Sequence, residues 1–135
     1  MASPSDVRGF VVSRDGFPWL WKAQRAFLSA EYLREKEHLD CAANRYYYAF
    51  ANVAFHFVGQ HNKDLSEKSH GDLVREYARN IDQDASEALG RVQTARWRAD
   101  YSPIPVNPKK IAQLVLPMTR LMVRAFEKAK LPKEG

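Results

Sequence analysis

Cysteine is almost missing from this chain of 135 residues: Cys41 stands alone. No internal disulfide and no cysteine metal cage can form, and a reducing compartment is the natural expectation. Histidine is also scarce. His38, His56, His61 and His70 include no pair three or four residues apart, so two imidazoles never share one helical face, and neither a metal nor a cofactor is expected. The six glycines are dispersed, which excludes a phosphate-cradling loop or a dinucleotide turn. Ser66 and Ser69 lie in a polar segment with no base to activate them. No apolar run approaches the ~20 residues of a membrane span, and the opening MASPSDVRGF lacks an apolar secretory core, so a cytoplasmic protein without membrane contact is expected. No stretch alternates convincingly enough to be a strand.

What is present has globular proportions: 45% hydrophobic, 12% aromatic and 27% charged residues, enough for one core. The net charge of +5 is concentrated at one end. Residues 102–135 hold Lys109, Lys110, Arg120, Arg124, Lys128, Lys130 and Lys133 against Glu127 and Glu134, which accounts for the whole excess. Such a segment attracts phosphate by counterion release; equally, cations near the C-terminal end of a helix oppose its dipole.

Helical periodicity dominates. Leu20, Ala23, Phe27, Ala30 and Leu33 predict a first helix from Pro18 to about Glu37. Asp40 is the expected cap of a second, with Ala43, Tyr47, Phe50, Ala54, Phe57 and Val58 as its apolar stripe and Gly59 as its exit. A polar loop around QHNKDLSEKSHGD precedes a short helix from Asp72, and the period resumes at Ala85, Leu89, Val92 and Ala95. YSPIPVNP stops that helix near Tyr101. Ile111, Leu114, Met118, Leu121, Met122, Ala125 and Phe126 predict a last long helix, in which Pro117 implies a kink or a late start. The expected fold is all-α, an antiparallel bundle of about four to five helices over residues 16–130, with a flexible segment at 1–15 and a tail at 131–135.

Two places exceed what a bundle needs. Asn44, Tyr48, Asn52 and His56 follow at four-residue steps, a polar stripe on a helix otherwise aromatic or Ala. Buried amides need partners, so the stripe implies a hydrogen-bond network, a pocket or a subunit seam, and a homodimer is expected. In TARWRADYSP, Arg96, Arg98, Asp100 and Tyr101 close a helix beside Trp97. Arginine presents a planar fork of donors to phosphate, and Asp100 can hold it in place; an Arg to Asp pair can also simply staple a helix end.

The segment CAANRYYYAFANVAFHFV resembles the second helix of HEPN domains, KSHGDL is similar to that family's Lys, His and Leu near the next helix, and RWRADY is similar to its Arg-x-x-Ala-Asp-Tyr signature. WKAQRAFLSAEYL is similar to its opening helix, so the likeness runs from about Trp19 to Phe126. The resemblance implies a HEPN-like bundle that dimerises, with the Arg motifs facing a shared cleft. It implies either a metal-independent endoribonuclease of toxin–antitoxin or phage-defence systems, or a non-catalytic module that binds RNA, a nucleotide or a partner such as a small nucleotidyltransferase or an antitoxin. Arg96, Asp100 and Tyr101 would be the catalytic cluster, with Arg98, Arg45, Lys68 and His70 as RNA or nucleotide contacts. The family's ribonucleases carry an arginine, four to six residues and then a histidine; here, four residues on from Arg96, Tyr101 stands in its place. Cleavage needs a base for the 2′-hydroxyl and an acid for the leaving oxygen, and a phenol with a reference pKa of ~10 serves as donor better than as base. A base would then have to come from His70 or His56.

Overall fold

The computed structural model describes residues 2–61 and 69–134. Among them are six α-helices: α1 Pro4–Arg8, α2 Pro18–Glu35, α3 Leu39–His61, α4 His70–Glu76, α5 Ala85–Tyr101 and α6 Pro108–Lys128, with α4 running into a π-helical segment, Tyr77–Ile81. The all-α bundle read from the sequence is therefore present, with α2, α3, α5 and α6 as its long members. No helix is long and apolar enough to cross a membrane. Most of the loop expected between α3 and α4 lies outside the described residues.

The central element is α3, which packs on α2 most extensively and also on α4, α5 and α6. Its composition explains the position. Ala42, Ala43, Ala49, Ala51 and Ala54 let neighbouring backbones approach, while Tyr46, Phe50 and Phe57 fill the spaces between them. Glu37, with φ 64°, lets the chain turn after α2: its own N–H donates to the Arg34 carbonyl and that of His38 to the Leu33 carbonyl. The three-residue link then lays α3 beside α2 as a helical hairpin.

Asp40 does not cap α3 as expected. It lies within the first turn, and its carboxylate accepts the Val106 N–H at 2.8 Å, tying the proline-rich loop to the start of α3. Ser69 caps α4, and α3 continues past Gly59 to His61. Asn107 caps α6 by accepting the Lys110 N–H, so this helix starts early and passes through Pro117 without interruption. Burial of Leu114, Met118, Leu121 and Met122 on both sides of the proline outweighs the one backbone bond it removes.

The described residues near both ends of the chain pack onto the bundle. Val7 and Phe10 are buried, and the Gln24 side chain donates to the carbonyls of Val7 and Phe10. The Val11 N–H donates to the Pro132 carbonyl at 2.7 Å and the Glu134 N–H to the Gly9 carbonyl at 2.8 Å, with Leu131 buried beneath. Single apolar residues in a helix of five residues or in irregular chain carry no period, so a periodicity reading passes over them.

Candidate functional site

The inward face of α5 is small: Ala85, Ala88, Val92 and Ala95 are its buried residues. The large polar side chains of its last turns therefore stand around this seam. The helix ends at Tyr101 because Ser102 precedes Pro103 and is extended, at φ −110° and ψ 138°.

Arg96 is held from two sides. Its Nε lies 3.5 Å from an Asp100 carboxylate oxygen, and its guanidinium carbon sits 4.1 Å from the centroid of the Tyr47 ring. Tyr47 is buried, which pushes its phenol pKa up, and the Arg96 cation partly offsets the rise. Trp97 and Tyr101, on the same turns, have ring centroids 6.3 Å apart, and they are 60% and 70% exposed. Arg98 turns the other way, into a cavity of about 180 Å³ between α5 and α6 that Arg91, Thr94, Lys110 and Gln113 also line. Arg91 there is engaged with Glu87 at 3.6 Å.

The structure thus pairs Arg96 with Asp100 and Trp97 with Tyr101 on the last turns of α5, and sets Arg96 over Tyr47, which the sequence reading places only in the apolar stripe. It leaves the remaining residues elsewhere. Arg45 lies about 200° around α3 from Tyr47, beside Tyr48 at 6.0 Å. His70 packs edge-on against Phe55 at 4.8 Å, and His56 lies between Phe17 and Phe57, where burial lowers its basicity. Neither imidazole touches Arg96, Asp100 or Tyr101. Lys68 lies outside the described residues.

The polar stripe of α3 also differs from expectation. Asn44, Asn52 and His56 are half-buried and Tyr48 is exposed, because α2, α5 and α6 cover the other sides of α3 and leave this strip open. No hydrogen-bond network forms within it among the described residues; its one side-chain bond runs from Gln60 Nε2 to His56 Nε2 at 3.3 Å. Tyr48 and Asn52 instead line a groove of about 360 Å³ with Trp21, Lys22, Arg25 and Arg45. The signal for the α2 side of this groove is the run Trp21, Lys22 and Arg25, a ring followed by two cations.

Among the described residues no group of three or more His, Cys, Asp or Glu side chains is placed to hold a metal ion. Compared with family models, with curated proteins and with solved structures, the chain matches none.

Proposed function

We propose that this all-α bundle is a HEPN-like module that binds RNA without cutting it, using the C-terminal turns of α5 as one contact surface. The observation that carries this reading is the pair of exposed aromatic rings, Trp97 and Tyr101, on the same last turns of α5 as the oriented guanidinium of Arg96. Exposed rings accept stacked bases, and an arginine held by a carboxylate and a ring presents its remaining donors to phosphate in a fixed orientation. Arg98 and Lys110 extend the positive charge into the α5–α6 cavity. The engagement of His56 and His70 with aromatic rings at a distance from this cluster favours binding over general-base catalysis.

A second reading is an endoribonuclease completed by a second copy of the chain, acting as a toxin or defence effector. It is favoured by the exposed apolar side chains of Trp97, Tyr101 and Ile104 at and just beyond the end of α5, on which another protomer could seat. One experiment separates the two. Labelled single-stranded RNA is incubated with the protein in chelator, and binding and chain length are both read. The binding reading expects intact RNA, with affinity about 10-fold weaker for Trp97→Ala, the scale of one lost stacking contact. Products ending in cyclic phosphate, abolished by Arg96→Ala, would establish the ribonuclease instead. Intact RNA with no measurable affinity would end both.

A further inference from the structure

Five arginines in the described structure sit against carboxylates: Arg34 on Glu31, Arg75 on Asp72, Arg91 on Glu87, Arg96 on Asp100, and Arg124 on Asp82 and Asp84. Arg25 and Arg45 differ. Neither has a carboxylate within ion-pair distance among the described residues. Each is held by an aromatic ring instead, Arg25 over Trp21 at 4.7 Å and Arg45 over Tyr48 at 6.0 Å. The distinction matters chemically. A carboxylate consumes the in-plane N–H donors of a guanidinium and cancels its charge, whereas a ring beneath its face restrains the group and leaves those donors free.

These two arginines face each other across the outer seam of the α2–α3 hairpin. Two depressions meet there, of about 360 and 500 Å³, sharing Arg25, Ser29 and Arg45 in their walls. Lys22 adds a third exposed cation, and neither depression is lined by an acidic residue. The wall from Trp21 to Leu33 measures roughly 18 Å by helix rise. Tyr48, 40% exposed, with Arg45 over its ring, and Tyr32, 60% exposed, with Lys36 over its ring at 5.7 Å, line it, while Ser29 and Asn52 supply neutral hydrogen-bonding groups.

We propose that the α2–α3 groove is a binding site for single-stranded nucleic acid, distinct from the α5 terminus. Phosphates meet Lys22, Arg25 and Arg45, and unpaired bases stack on Tyr48 and Tyr32. Restrained, uncompensated cations interleaved with exposed rings are what a flexible polyanion with flat bases requires. An acidic peptide would use the cations and leave the rings idle. The proposal rests on the nucleic-acid reading above but assigns a surface that reading does not use, some distance around the bundle from Arg96.

The test is fluorescence anisotropy of a labelled oligouridylate across a salt series, with the wild-type chain, an Arg25→Gln/Arg45→Gln double variant, a Tyr48→Ala variant and an Arg96→Gln/Arg98→Gln double variant. All the altered arginines of the groove are exposed, and circular dichroism checks that each variant folds. The groove proposal expects at least about 10-fold weaker binding for Arg25→Gln/Arg45→Gln, with the log–log salt slope shallower by about 1.4, the value for two lost single-strand phosphate contacts. It expects Tyr48→Ala to weaken binding with the slope unchanged. Wild-type affinity retained by both groove variants would overturn the groove and leave the nucleic-acid reading standing on Arg96 and Arg98. Oligoglutamate competing as well as oligouridylate at equal charge would overturn the choice of ligand. No binding by the wild-type chain would remove this proposal and the reading beneath it together.

Discussion

Glu31 is the one acidic side chain buried among the described residues, and its two oxygens have different partners. Oε1 accepts from Arg34 at 2.8 Å, while Oε2 accepts from the Tyr46 hydroxyl. Burial, reinforced by the carboxylate, pushes the Tyr46 phenol far up, so it remains a donor at any ordinary pH. This link joins α2 to α3 at the most extensive helix contact of the fold. Tyr46→Phe keeps the ring but strands one carboxylate oxygen, and it is expected to lower unfolding free energy by about 1–3 kcal/mol, measured by urea denaturation. An unchanged midpoint would mean that the oxygen finds water instead. Sequence alone marks Tyr46 only as part of an aromatic run and Glu31 as a charge on a helix. Their pairing across 15 residues depends on the register of the α2–α3 hairpin, which no local pattern encodes.

At the scale of elements, α6 is the instructive case. Its apolar period is strong enough to predict the helix despite Pro117, and the helix does form, although a proline there removes the donor that the Gln113 carbonyl would otherwise receive. Close by, the Thr119 hydroxyl donates back to the Val115 carbonyl at 2.6 Å, a local competition with the backbone ladder. Pro117→Ala is expected to restore the bond and stabilise the protein by roughly 1–3 kcal/mol, seen as a higher urea midpoint. A fall in stability would show that the proline ring itself packs in a way the helix needs. The start of α3 teaches the opposite lesson. Asp40 satisfies every local rule for a cap, yet its carboxylate is taken by Val106, 66 residues away. Periodicity sets where helices run; competition among distant partners sets what their ends do.

The whole molecule depends on its termini. Phe10 lies edge-on to Phe126 at 5.3 Å, and the ammonium of Lys133 lies 4.9 Å above its ring, so the two ends close over the side of α6. Phe10→Ala is expected to cost about 3–5 kcal/mol in urea unfolding, as for a large core ring. A loss below 1 kcal/mol would place the N-terminal segment outside the cooperative unit. The basic C-terminal excess also divides at this scale. Arg124 bridges Asp82 and Asp84, while Lys128 and Lys133 cover Phe57 and Phe10, so much of the charge that looked available in the sequence has structural partners. The sequence by itself determined the helical class and the courses of the long helices, since apolar period and proline placement are local properties. It also marked Arg96, Asp100 and Tyr101, which lie within two turns of one helix. Only the tertiary structure decided which cations are neutralised, which rings are open and which faces adjoin. Those outcomes depend on the packing of α2 against α3 and of α5 against α6, where groups far apart in the chain compete for the same partners.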